Sequence, residues 1–195
     1  MSGIPLAVLL ELSDVADKER LRFEHSYEQG FDSSCGLSAL ACLMSLYWNA
    51  ETDEEALAES VFGAKEAGDY TVSFADLVRL LEKAGFAAAA YRLDYAGLVD
   101  AAARYAPILV HYDKPEPHFA LVLHADASGL VTADPAEGTR LLDRAAFEAR
   151  WSGAALFARS PGRGPDSGAL REAADRAAGR ARLLETAARA SARGR

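Results

Sequence analysis

The sequence predicts an α+β fold, N-terminal helices packed on an antiparallel sheet, and three observations carry that prediction. Helix signals fill residues 35–83: an apolar run that opens at Cys35, then two segments preceded by capping residues. Strand-like patterns dominate afterwards, in Pro107-Ile-Leu-Val-His-Tyr112, Pro117-His-Phe-Ala-Leu-Val-Leu-His124 and Leu130-Val-Thr-Ala-Asp134. The turn Asp126-Ala-Ser-Gly129 makes the last two neighbours in a hairpin. Helices first and antiparallel strands after is the order of an α+β domain, not of alternating βαβ units.

Taken in order, Met1 to Leu12 is apolar but holds Glu11 and lacks a positive n-region, so it reads as a first strand or an extension packing on the core, not a signal peptide. Residues 1–23 are taken as that extension. The stretch from Cys35 to Tyr47 is a strongly apolar helix, with Ser33 or Ser34 as its cap. Thr52-x-x-Glu55 is a capping box that opens a helix to about Phe62. Ser73 starts another that runs to Lys83 and is stopped by Gly85. Gly63 to Thr71 is a polar loop expected to overhang a cleft. Phe86 to Leu93 reads as a strand and Tyr95 to Tyr105 as a helix. The segment 161–195 is rich in Ala and Arg, with Leu170, Leu183 and Leu184 as its only large aliphatic side chains. It has helical propensity yet little to bury, so a frayed appendage is expected, with a docked helix as the alternative.

Composition narrows the class. Of 195 residues 50% are apolar, ordinary for a globular chain, and about 160 residues bury enough surface to be stable without staples. The net charge of −8 is unevenly spread: eight arginines face four acids from Gly162 onward, which leaves −12 on residues 1–161. An acidic body disfavours nucleic acid and favours a basic or neutral peptide. The basic tail is the one candidate arm for an acidic partner or membrane surface. No apolar run reaches the 18 or so residues that span a bilayer, and there is no Gly-x-x-x-x-Gly-Lys-Ser/Thr loop. Cys35 and Cys42 lie seven residues apart on one helix, roughly 10 Å along its axis, too far for a disulfide. That usage fits a reducing compartment, so a cytoplasmic monomer is expected, or a periplasmic one if a signal peptide precedes Met1. Four histidines without Cys-x-x-Cys or His-x-x-x-His grouping make no zinc site, and no cofactor is expected.

The chemistry centres on Cys35. A thiol at a helix N-terminus feels the partial positive charge and unpaired N–H groups of the first turn, which favour thiolate. Gly36 removes bulk beside the sulfur. Taken alone, such a cysteine is more simply a small buried residue. Three others change that reading. Gln29, six residues upstream, can donate an amide hydrogen bond to an oxyanion forming beside Cys35. His118 opens the strand before the hairpin turn and Asp134 ends the strand after it. Pairing about that turn sets His118 opposite residues near 136, with Asp134 a diagonal neighbour. A carboxylate there holds one ring nitrogen while the other faces the thiol. His124, six residues beyond His118 and so on the same strand face, is the rival base. Cys42 reads as an inert core residue, and His25 and His111 have no motif.

Gln29 through Gly36, His118-Phe119, and Asp134-Pro135-Ala136 with Gly138 resemble the C39 peptidases, the bacteriocin-leader-processing group of cysteine peptidases. Phe147, Trp151 and Gly153 are similar to that family's final helix and turn before its last strand. The likeness runs from about Glu24 to Arg159 and implies a papain-like cysteine peptidase fold over residues 24–160. It also implies roles: Cys35 nucleophile, His118 general base and acid, Asp134 orienter, Gln29 oxyanion donor. The implied function is an endopeptidase cutting a peptide, a secreted protein or its leader, after Gly-Gly in the best-known members. With neither membrane span nor phosphate loop, the chain reads as a stand-alone member. Acyl transfer on the same site, or a peptide-binding module without catalysis, are the alternatives.

Overall fold

The computed structural model describes residues 20–30, 34–63 and 71–193. The reading of residues 1–12, Ser33 as a cap and most of the 63–71 loop lie outside these. Helix α1, Cys35–Cys42, continues through a π-helical turn over Leu43–Tyr47. Helices α2 (Glu54–Phe62) and α3 (Phe74–Lys83) follow, then β1 (Ala87–Arg92), α4 (Tyr95–Tyr105), β2 (Ile108–Tyr112), β3 (His118–Ala125), β4 (Gly129–Asp134), β5 (Gly138–Asp143), the short α5 (Arg144–Glu148), β6 (Trp151–Arg159) and the long α6 (Ser167–Arg193). One antiparallel six-stranded sheet has the order β1-β6-β2-β3-β4-β5.

Two apolar layers sandwich the sheet. On one side α1, α2, α3 and α6 cover Leu109, Phe119, Leu121 and Leu156; on the other α4, and α5 through Phe147, cover Ile108, Val110 and Val122. Every residue of α1 is buried, which explains a helix apolar all round with little amphipathic contrast. Full burial of Leu37, Leu40 and Leu43 contributes about 1.5–3 kcal/mol each and fixes the height and tilt of the helix that carries Cys35.

Local signals place most boundaries. Ser73 and Asp76 form a reciprocal capping box ahead of α3, and Gly85 leaves that helix at φ +84°. The capping box expected at Thr52 is replaced by a simple cap one residue on: Asp53 accepts from Ala56 N–H at 2.8 Å, while Thr52 N–H is bound by Ser45 Oγ at 2.9 Å. The tail is not a frayed appendage. Asp166 caps α6, and Ala173 and Ala177 are buried against the core. Arg180 donates to Leu21 O at 2.6 Å and Thr139 O at 2.8 Å, and Arg176 meets Glu24 at 2.8 Å. Alanines let the helix approach closely, so the docking rests largely on small side chains and arginine heads, with Leu170 as a large apolar side chain that also packs against the core.

Candidate active site

Cys35 stands in the first turn of α1 with an exposure of 8%, against 1% for Cys42 one end further on. Ser34 occupies the cap position without a side-chain capping bond; its carbonyl instead receives Leu37 N–H and Ser38 N–H, both at 2.9 Å. A Cβ at Gly36 would lie 3.0 Å from the Phe119 ring and 3.2 Å from the Val72 side chain, so glycine lets α1 press against the start of β3. His118 is the first residue of that strand.

The hairpin forms as its turn residues dictate. Asp126 Oδ1 accepts Ser128 N–H at 2.7 Å and Gly129 N–H at 3.0 Å, and β3 and β4 pair Leu121 with Ala133 and Val122 with Thr132. Extending that register sets His118 opposite residue 136 and puts Asp134 diagonally across. The two meet: His118 Nε2 lies 2.7 Å from Asp134 Oδ1. With Nε2 committed to Asp134, the ring nitrogen left to face a thiol is Nδ1, and Cys35 is among the groups that raise the His118 pKa. Asp134 is 1% exposed and its Oδ1 further accepts Ala136 N–H at 2.9 Å and Glu137 N–H at 3.2 Å.

These contacts set the electrostatics. Burial works against a charged His118, but hydrogen bonds and charge from Asp134 and Cys35 outweigh it and raise its pKa to about 9. Burial likewise pushes the Asp134 carboxyl up, and the bond from His118 with the two backbone N–H groups more than reverses this, leaving it below its ordinary value. At neutral pH the pair is an imidazolium beside a carboxylate. Cys42 has the opposite setting: burial pushes its thiol up to about 12.

Gln29 belongs to a segment stitched to both halves of the site. Ser26 Oγ donates to Asp134 O at 3.1 Å, Ser38 Oγ of α1 donates to Tyr27 O at 3.2 Å, and Gln29 N–H donates to Pro135 O at 3.1 Å. Gly30 N–H is held by Glu54 Oε2 at 3.1 Å. Gln29 therefore sits beside the turn that carries Asp134; its side-chain oxygen is buried and, among the described residues, accepts no hydrogen bond.

His124 is not on the face of His118. A bulge between Val122 and His124 shifts the register so that His124 pairs with Val131, and its side chain is exposed. His25 is buried, with a pKa lowered by that burial, and its carbonyl accepts from Tyr47 Oη at 2.7 Å. Sequence reading missed Tyr112, which pairs directly with His118 across β2 and β3 and lies nearly parallel to its ring. The five-residue connection from Tyr112 to His118 was the available signal for that pairing. Strand β5 was missed as well, being short and half exposed after Gly138 at φ +75°.

A family model described as Peptidase C39 family matches residues 24–162. Two relatives, from Pseudomonas fluorescens and Pseudomonas aeruginosa, each described as a probable functional amyloid protease FapD, are 29% and 27% identical over 157 and 135 residues. The matches cover 78% and 68% of this chain, and 68% and 59% of those proteins. Among solved structures, the peptidase domain of Streptococcus ComA, a bifunctional ABC transporter of a quorum-sensing pathway, superposes with a TM-score of 0.60 at 19% identity, over 70% of this chain and 98% of that one. A double glycine motif protease from an AMS/PCAT transporter, solved in complex with the leader peptide, gives 0.58 at 17% identity, over 69% and 90%. These structures share the fold: helices against an antiparallel sheet in the papain-like manner.

Proposed function

We propose, from the premise that this chain belongs to the peptidase C39 family, that it is a cysteine endopeptidase acting through Cys35, His118, Asp134 and Gln29. The observation that carries this reading is His118, bound through Nε2 to a buried carboxylate at 2.7 Å, with the cysteine at the start of α1 among the groups that raise its pKa. The match of residues 24–162 to a peptidase family supports it independently.

In this mechanism Cys35 Sγ attacks the scissile carbonyl carbon as thiolate. The oxyanion that forms is held by Cys35 N–H, one of the first-turn donors without an intrahelical partner, and by the Gln29 amide. His118 gives its proton to the leaving amine, the C–N bond breaks, and a thioester remains. Neutral His118 then takes a proton from water, the hydroxide attacks the thioester, and Cys35 leaves as thiolate beside a recharged imidazolium. Asp134 keeps the ring in the orientation and tautomer this exchange requires.

For the substrate we propose a peptide or protein segment with small residues at the cleavage point, a leader ending in Gly-Gly being the first to try. The relatives described as amyloid protease and double glycine motif protease support that choice of class. A panel of leader-like peptides ending in Gly-Gly, Gly-Ala or bulky pairs tests it by mass spectrometry. Cleavage after the small pair, lost in Cys35→Ala, is expected. Binding without cleavage by the wild-type chain would instead make it a recognition module.

A further inference from the structure

We propose that Arg150 is a positioning residue that holds His118 and Asp134 in register by gripping both ends of the pair at once, through Tyr112 on one side and Glu137 on the other. The proposal rests on the assignment of His118 and Asp134 as the acid–base pair, and it follows from a closed circuit of contacts. Tyr112, fully buried at the end of β2, lies with its ring 16° from parallel to His118, centroids 6.0 Å apart. The Arg150 guanidinium carbon is 4.5 Å from the Tyr112 ring centroid. Arg150 Nη1 donates to Glu137 Oε2 at 3.2 Å, and Glu137 N–H donates to Asp134 Oδ1 at 3.2 Å. His118 Nε2 on Asp134 closes the loop. Arg150 is itself tied to β2, because its carbonyl accepts Asp113 N–H at 3.0 Å.

Each link limits one freedom. The Tyr112 face limits tilting of the imidazole, and a cation stacked on that ring fixes the ring in turn. The ion pair steadies the turn whose backbone N–H groups hold the carboxylate, and with a side-chain exposure of 24% Arg150 is partly withdrawn from water. Arginine suits the task because its planar head can stack and donate at the same time, which an ammonium does poorly. Tyr112 contributes its ring and not its hydroxyl, which is buried without a hydrogen-bond partner among the described residues. The charged and titratable groups around His118 are Cys35 from α1, Asp134 from β4, and His111 and Tyr112 from β2. Glu137, Arg140 and Arg150 form the next ring outward.

The test combines kinetics with NMR titration of the His118 ring nitrogens, using Arg150→Met, Arg150→Lys, Tyr112→Leu and Tyr112→Phe in the full chain. Loss of orientation at the reacting groups should lower kcat roughly 10-fold in Arg150→Met and Tyr112→Leu with KM little changed. Tyr112→Phe should keep wild-type kcat, and Arg150→Lys should fall between. The Arg150→Met/Tyr112→Leu double variant should lose less than the product of the two single losses, because part of what Arg150 does passes through the Tyr112 ring. In Arg150→Met the His118 pKa should move down from about 9 toward 6.5 as its hydrogen bond to Asp134 loosens. Removing a nearby cation by itself would move it the other way, so the direction discriminates. Additive losses, or a His118 titration unchanged or raised in Arg150→Met, would overturn the positioning role. Because the titration needs no substrate, it tests Arg150 even if His118→Ala remained active and the peptidase assignment failed.

Discussion

The two ends of α1 carry the same side chain in opposite circumstances. Cys42 is packed among apolar neighbours, its sulfur 4.0 Å from His25 O as its polar contact, and burial pushes its thiol up to about 12. Cys35, seven residues earlier, stands at the helix start and is among the groups that raise the pKa of an imidazole already held by a carboxylate. Both are counted among the buried residues. Burial therefore does not distinguish the proposed nucleophile from a core thiol; in the proposed mechanism the partner across the gap does, and that partner is delivered by a hairpin more than eighty residues away.

The contrast breaks most visibly by mutation. Cys35→Ala and His118→Ala should each reduce kcat by about 10³-fold or more without loss of fold. Cys42→Ala should keep turnover and cost on the order of 1 kcal/mol in urea melts. Wild-type rates from Cys35→Ala would exchange the roles of the two cysteines or end the peptidase reading. Next in size is Gln29→Ala, for which kcat should fall about 10²-fold with KM nearly constant, as when one oxyanion donor is lost. Gln29→Glu should be worse, since it opposes the developing oxyanion. An effect confined to KM would make Gln29 a substrate contact instead.

Smaller effects sharpen the His118 side of the comparison. Asp134→Asn should retain more turnover than His118→Ala, losing roughly 10- to 10²-fold, because the carboxylate orients the ring and exchanges no bonds. With His118 raised to about 9, kcat/KM of the wild type should fall above about pH 9, and that limb should move to lower pH in Asp134→Asn. Stability follows the same sign. A folded-state pKa above the ordinary 6.5 stabilises fully below pH 6.5, and that share is lost as pH rises through about 9. The wild-type minus His118→Ala difference in unfolding free energy should shrink over that window. His124→Ala, on the exposed side of the bulge, should change nothing measurable in kcat.

How much of this was legible depends on how local the cause is. The α1 start, the Ser73 box, Gly85 and the Asp126–Gly129 turn are written in neighbouring residues, and the hairpin alone brings His118 to Asp134. The bulge after Val122 was not legible, because an unbroken apolar run carries no mark of an extra residue. Docking of α6 escaped because its buried residues are alanines, whose close approach replaces bulk. Arg150 had no local signal: its partners Tyr112 and Glu137 lie on other elements and meet it only once the sheet has formed.

The central claim, that His118 makes Cys35 and not Cys42 the nucleophile, is tested most directly by treating the folded protein with a thiol-directed peptide chloromethyl ketone and locating the adduct by peptide mass mapping. The expected result is one adduct at Cys35 in the wild type, none at Cys42, and a labelling rate at Cys35 that drops by an order of magnitude or more in His118→Ala. Labelling at Cys42, or undiminished labelling of Cys35 without His118, would contradict it.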